Sequence, residues 1–508
     1  MVTANNNLNS ASLSDQQSVF VSDSLAFGVV FAISLTVIQR AVGFGRGILF
    51  CRLMTDQELG QWSMVYSFLM LLAPLAVLGL PGCFGRFTEH YLSRNQFGIF
   101  VRRITLISCA LTAMLAFTMY SFPAMFSQLV FRTPDCTGII NGMAFAVIMV
   151  AGSNFLSSLL ESLRQVRLAT LMRFVQGIGF AIFGTLLIVQ WENSATGATF
   201  GFGIASFLAC VPAVWFLANH RAGFQDSGKI LSHVEMWKRI APFAIWLWAS
   251  NLVWNLFEVA DRSMLVHWSD VSAMDAQGFV GQYHSGRVIP MLLVGLAAVL
   301  VGMMMPYITA VWEKGNRKDA GQLLTFSIKL VSLGFTAAAL GILLFSPLLF
   351  EIVLQGKYDQ GLAVLPLTFV FSIWFSLFMF GQIYLWVAEK GKLVFAVTSI
   401  GLVINLLLNG LLIPSFEIWG AISATTTATL FCLVATNFAI SFAGCDLDRR
   451  FWVICFLPLI VLLPLAFAFV GLAIFVAVCI STTLLFSTEE KQLIHAKVAD
   501  LIGRIRNR

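Results

Sequence analysis

Two arginines, Arg40 and Arg46, stand inside the first long apolar stretch of this chain. If that stretch crosses a bilayer, each charge near its centre costs roughly 2.5–3.5 kcal/mol on insertion scales, so such residues usually face a watery cavity or a partner. On a helical wheel Thr36, Gln39, Arg40, Gly43, Arg46 and Gly47 share a wedge of about 120°, giving one polar face relieved by glycine. A later stretch repeats the design, with Asn251, Asn255, Glu258 and Arg262 within about 60° and Asp261 and Trp254 beside them. His284 and Arg287 follow one turn apart. Arginine binds phosphate well because its planar fork donates paired hydrogen bonds and stays charged at any relevant pH. Arg40, Arg46, Arg262 and Arg287, with Gln39 and Asn255, are therefore the candidate substrate-binding residues of a cationic chamber.

Plainer readings stand beside this one. Arg262 has Glu258 four residues earlier on its own face and Asp261 adjacent, the spacing of a structural ion pair. Glu258 and Asp261 are also candidates for proton or sodium coupling, being acids well inside an apolar stretch. Arg46 could snorkel to an interface, and His284 reads as a packed or hydrogen-bonded core histidine. Arg40 and Arg46 have no acid in their own helix, which favours the binding role there. Asn154, Gln382, Asn405 and Asn409 could line the chamber or serve as interhelical glue.

These residues need helices that cross a membrane, and the composition supplies them. The 508 residues are 58% hydrophobic and 11% charged, with a mean hydropathy of +0.86. Crossing the hydrocarbon core takes about 20 mostly apolar residues. Segments near 25–50, 62–85, 104–125, 137–160, 169–190 and 197–218 qualify, followed by 240–266, 279–308, 324–350, 361–387, 393–413 and 418–443 and an apolar run over 451–486. Of 31 lysines and arginines, 24 lie in the even-numbered breaks, at the helix ends flanking them or in the C-terminal tail; Lys314, Arg317, Lys318 and Lys329 form one such group. The odd-numbered breaks hold Arg52, Arg132 and Lys357. The positive-inside rule puts the even breaks and the tail in the cytoplasm. The run 451–486 then has to cross twice, turning near Pro464 and Gly471. The expectation is an all-α polytopic protein of 14 transmembrane helices, both termini cytoplasmic, in the cytoplasmic (inner) membrane.

Several classes are disfavoured. The net charge of +6 mostly records topology and implies no nucleic-acid partner. Residues 1–24 lack a basic n-region and read as a disordered cytoplasmic tail rather than a signal peptide. Nine scattered cysteines, without a CxxC pair or a neighbouring histidine cluster, read as buried thiols, so neither metal nor cofactor is expected. No break is long enough to fold alone, which weighs against a membrane-embedded polymerase or transferase and favours a non-enzyme.

An internal repeat organises the chain. Arg46-Gly-Ile-Leu-Phe-Cys-Arg52 leads through an acidic turn to Gly60-Gln61-Trp62, and Arg262 leads similarly to Gly281-Gln282-Tyr283, at intervals of 14 and 19 residues. Six spans precede the longest polar break and six follow. The expected organisation is an N-lobe over 25–220, a linker over 221–239, a C-lobe over 240–443, two extra helices within 451–486 and a tail over 487–508, the lobes forming a V around a midplane site.

The stretch from Val42 to Phe87, containing ILFCRLMTDQELGQWSMVYSFLMLLAPLAVLGLPGCFGRF, resembles the polysaccharide-biosynthesis, O-antigen (Wzx-like) flippases of the multidrug/oligosaccharidyl-lipid/polysaccharide exporter superfamily. So do Gln355-Gly356-Lys357-Tyr358, the run from Asn405 to Pro414, Trp419-Gly420-Ala421, Met305-Pro306 with Trp312-Glu313-Lys314, and Ser487-Thr488-Glu489-Glu490-Lys491. The resemblance covers nearly the whole chain through loose, mostly structural motifs. It implies translocation of an undecaprenyl-pyrophosphate-linked oligosaccharide by alternating access, with membrane lipids and polysaccharide-assembly proteins as partners. It also implies that Arg40, Arg46 and Arg262 engage the pyrophosphate or anionic sugars. Cation-coupled multidrug exporters of the same superfamily are the alternative; a helix 1 that presents arginine rather than acid favours an anionic substrate.

Overall fold

The computed structural model describes residues 25–191, 194–224, 226, 232–445 and 447–482; among them there are helices and turns and no strand. The expected tails and most of the break at 225–231 lie outside the described residues. Ten of the described helices are long and apolar enough to cross a membrane. Large apolar side chains on their outer faces, such as Phe117, Trp215 and Leu411, are exposed. Such surfaces suit hydrocarbon and would aggregate in water, so the protein is a multi-pass integral membrane protein.

The chain forms two compact units, Met1–His284 and Ser285–Arg508. In the first, α1 (Leu25–Leu53) carries the two arginines and α2 (Asp56–Ala76) follows. A capping box starts α2: Thr55 Oγ1 accepts from Glu58 N at 3.2 Å, and Glu58 Oε2 accepts from Thr55 N at 3.0 Å. The other carboxylate oxygen of Glu58 accepts from Ser194 N at 3.0 Å, so one acid caps both α2 and α9 (Ser194–Asn219). Gly79, at φ +70°, turns the chain through a 3-10 segment into the short α3 (Phe84–Leu92). There follow α4 (Phe97–Ser121), α5 (Pro123–Phe131), α6 (Thr137–Ser162) and α7 (Val166–Gly179). A π-turn over Phe180–Gly184 joins α7 to α8 (Thr185–Gln190). The unit closes with α10 (His233–Trp268) and the first part of α11 (Ala273–Val288).

The second unit holds α12 (Pro290–Glu313), α13 (Arg317–Leu348), α14 (Asp359–Ala363) and α15 (Leu365–Val387), the last buried along most of its length. Next, α16 (Gly391–Phe442) carries the expected spans 393–413 and 418–443 as one run kinked at Glu417 (φ 48°, ψ −118°), three residues after Pro414. The run expected to cross twice is divided at Leu463–Pro464. It comprises α17 (Arg449–Phe456), a 3-10 stretch over Leu457–Leu462 and α18 (Leu465–Ser481). Lys329, grouped above with the helix-end cations, instead stands 5% exposed within α13, well past its first turns. Counting charge by sequence position could not see that burial.

Candidate functional site

The site is built on a backbone contact between α2 and α11. A Cβ added at Gly60 would stand 1.8 Å from Gln277 O, and one added at Gly281 would stand 1.8 Å from Asp56 O. The contact is reciprocal, since each carbonyl lies four residues before the opposite glycine. In hydrocarbon, helices gain little from burying apolar area and associate through close backbone approach, which small residues permit. The Gly-Gln-aromatic steps, expected as separate openings of two repeats, are thus each other's packing partners.

Amides lock this crossing. Gln61 Nε2 donates to Gln277 Oε1 at 2.9 Å, and Gln277 Nε2 donates to Phe131 O at 2.9 Å. Arg132, an outward-break cation in the sequence, has a structural task. Its Nη1 donates to Val266 O, Ser269 O and Val271 O at 3.1–3.3 Å, satisfying carbonyls at and beyond the C-terminus of α10.

Within one turn of Gly60 along α2, Ser63 joins three helices. Arg262 Nε donates to Ser63 Oγ at 2.9 Å, and Ser63 Oγ lies 3.1 Å from His284 Nδ1. Arginine only donates, so Ser63 Oγ accepts from Arg262, and the same hydroxyl contacts the imidazole, tying α10 and α11 to α2. Arg262, buried, also donates through Nη1 to Glu258 O at 2.7 Å and lies 3.6 Å from Glu258 Oε2. Glu258 remains 45% exposed while its partner is covered. Asp261 is buried and accepts from Tyr283 Oη at 2.6 Å.

Arg46 has a different environment. Its Cζ lies 4.2 Å from the centre of the Phe180 ring and 5.8 Å from that of Phe50. These rings pack with Trp62 and Phe202, and Trp62 packs on Tyr66. Phe180 owes its position to the π-turn, whose extra residue shifts the register of the helix; such turns are frequent at functional sites. Tyr66 lies within electrostatic reach of Arg46, Glu258 and Arg262, which links the aromatic cluster to the network of α10. Neither Arg46 nor Arg40 has a hydrogen-bond or carboxylate partner among the described residues, and Arg40 is exposed.

The remaining candidates fall in three places. Gln39 packs its side chain against Gly177 of α7. Asn255 spends its amide donor on Asn251 O at 2.7 Å in its own helix. Arg287 lies in the second unit, buried, with its Cζ 5.0 Å from the centre of the Phe371 ring. The first unit thus gathers Arg46, Arg262, Glu258 and Asp261 around α2. Sequence reasoning missed Ser63, Tyr66 and Phe180, because a serine, a tyrosine and a phenylalanine in an apolar span carry no signal of their own. Asn405 and Asn409 are buried within α16, where Asn409 Nδ2 donates to Asn405 Oδ1 and Asn405 Nδ2 to Thr425 Oγ1, each at 3.2 Å.

The first unit is thus a helical membrane assembly in which Arg46 of α1 and Arg262 of α10 stand beside a glycine crossing of α2 and α11, and comparison with known proteins identifies its fold and family. The chain resembles the lipid II flippase MurJ in its inward closed conformation (TM-score 0.65, 14% identity, covering 94% of this chain and 100% of that one). It also resembles an inward-facing multidrug resistance MATE family transporter of the MOP superfamily (TM-score 0.63, 13% identity, 82% and 98% covered). At these identities the likeness establishes the fold. A family model described as polysaccharide biosynthesis protein matches residues 25–312, and the chain belongs to that family. No curated protein matches it.

Proposed function

We propose that the protein is a flippase that moves a lipid-linked oligosaccharide of the undecaprenyl-pyrophosphate type across the cytoplasmic membrane by alternating access. The observation that carries this reading is the pairing state of the α1 arginines. Arg262 is engaged by Ser63 and Glu258, whereas Arg46 and Arg40 have no acid to neutralise them among the described residues. An unneutralised cation at membrane depth is expensive unless an anion visits it. A pyrophosphate supplies that anion, and the guanidinium fork of Arg46, lying over Phe180, keeps its N–H donors for it. The polysaccharide family and the fold shared with a lipid II flippase support a lipid-linked substrate.

In the same reading the protein crosses the membrane fourteen times with both termini in the cytoplasm. The α2–α11 crossing is the closed end of the transport path, and opening it requires parting Gly60 from Gln277 and breaking the Gln61–Gln277 bond. The test is translocation of a fluorescent lipid-linked glycan in vesicles holding wild type, Arg46→Ala or Arg40→Ala. Loss of movement with normal folding is expected in both variants, and full movement in both overturns the reading.

One observation favours a second reading, a cation-coupled drug exporter. Glu258 keeps nearly half its surface exposed beside a MATE-like framework. Glu258→Gln would then abolish efflux of cationic compounds, while Arg46→Ala would leave it intact.

A further inference from the structure

A cavity of about 600 Å3 lies between α3 and the start of α10, lined by Arg86, Phe87, His90, Arg239, Phe243 and Trp246. Its charges are all of one sign. The Arg86 guanidinium carbon lies 4.9 Å from the centre of the Phe243 ring and 5.6 Å from that of Phe87. Arg239 Nη1 lies 2.7 Å from His90 Nε2. Since arginine can only donate, His90 accepts there and is neutral, with its proton on Nδ1. Burial and the nearby Arg239 and Arg94 push the His90 pKa below its usual value.

Acids that could balance the arginines are engaged or unpaired with them. Glu89, beside His90, pairs with Arg164 at 2.8 Å. Glu235, four residues before Arg239 on α10, makes no ion pair with it among the described residues. Two guanidinium groups held at one cavity without a counter-charge repel each other, and an anion between them would turn that cost into attraction. The walls are apolar and aromatic, and Trp246 is half exposed. Tryptophan with arginine is the composition of a membrane–water interface, and basic pockets between helices suit lipid head groups.

We infer that this cavity seats the phosphate of an anionic phospholipid, gripped by Arg86 and Arg239 with the glycerol backbone against Phe243 and Trp246. The seated lipid bridges α3 and α10. The neighbouring turn is already tight, because a Cβ at Gly79 would lie 2.7 Å from Ala244 O. A bound lipid therefore fastens the base of α2 to α10 and stabilises the conformation described here. The inference requires only that the chain spans a membrane and is independent of what it transports.

The full chain, purified in detergent, is titrated with phosphatidylglycerol, phosphatidylcholine or inorganic phosphate. Retained lipid is counted by native mass spectrometry and stability is followed by thermal unfolding. Phosphatidylglycerol is expected to be retained and to raise the unfolding temperature, and phosphatidylcholine to do neither. In the Arg86→Gln/Arg239→Gln variant the apparent affinity is expected to fall roughly ten- to thirtyfold, the worth of two cations near an anionic head group. If the double variant does not fold, Arg86→Gln alone, which leaves the His90–Arg239 contact in place, is expected to lose at least part of that affinity. Unchanged retention in the variant, equal retention of phosphatidylcholine, or full stabilisation by inorganic phosphate overturns the inference.

Discussion

Gly60 of α2 and Gly281 of α11 each face the carbonyl oxygen four residues before the other, with 1.8 Å from either absent Cβ to that oxygen. This relationship makes two positions of an internal repeat into one contact, and it leaves no room for a side chain on either helix. Gly60→Ala is expected to force α2 and α11 apart at a cost of about 1–3 kcal/mol, typical of overpacking. Thermal unfolding in detergent checks this. Because the helices need separate only once, Gly60→Ala/Gly281→Ala should cost less than the two single changes together.

Removing the Ser63 hydroxyl tests the node beneath that crossing. Ser63→Ala leaves Arg262 Nε and His284 Nδ1 without their shared partner. The expected cost is about 1–3 kcal/mol, the penalty for stranding a buried polar group. Ser63→Thr keeps the hydroxyl and is expected to recover part of it. Equal stability of all three proteins would show that the node is not a structural one.

Arg132 is expected to matter more to folding than to transport. Its three carbonyl contacts close the end of α10, and a charged donor to carbonyls contributes roughly 1.5–3 kcal/mol. Arg132→Gln should lower the unfolding temperature and speed hydrogen exchange at residues 265–271, while the variant that still folds transports at the wild-type rate per molecule.

The His90 contact gives a pH dependence of definite sign. Its pKa is lowered in the folded protein, first by burial and then by Arg239 and Arg94. The folded state thus binds fewer protons than the unfolded one at mildly acidic pH. The stabilising contribution is complete above the ordinary histidine value of about 6.5 and is lost as pH falls through it toward the folded value. Unfolding measured from pH 8 down to 5 should show this loss in wild type and less of it in His90→Gln.

Much of the fold was legible because membrane spans announce themselves by length and apolarity, as the agreement of 104–125, 137–160 and 361–387 with α4, α6 and α15 illustrates, whereas the expected 62–85 overlaps α2 only over 62–76 and runs on through the Gly79 turn into α3. Span ends were harder, since Lys329 reads as a helix-end cation until tertiary packing buries it. The candidate site divides the same way. An arginine in an apolar stretch is a strong signal by its cost alone, so Arg40, Arg46 and Arg262 could be named from one chain. Whether each is paired depends on neighbours distant in sequence. Ser63 lies 199 residues from Arg262 and 221 from His284, and no local pattern joins them. Gly60 and Gly281 were visible as a repeated motif, but a motif does not reveal that its two copies touch.

The central claim is that Arg46 offers an unpaired guanidinium to a phosphate-bearing lipid. The most direct measurement is the initial rate of lipid-linked glycan translocation in vesicles reconstituted with wild type, Arg46→Lys and Arg46→Ala at matched protein content. Removing one charge-assisted contact of about 1.5–3 kcal/mol should slow Arg46→Ala roughly ten- to hundredfold, with Arg46→Lys intermediate because it keeps the charge and loses the fork. Translocation by folded Arg46→Ala at the wild-type rate would contradict the account.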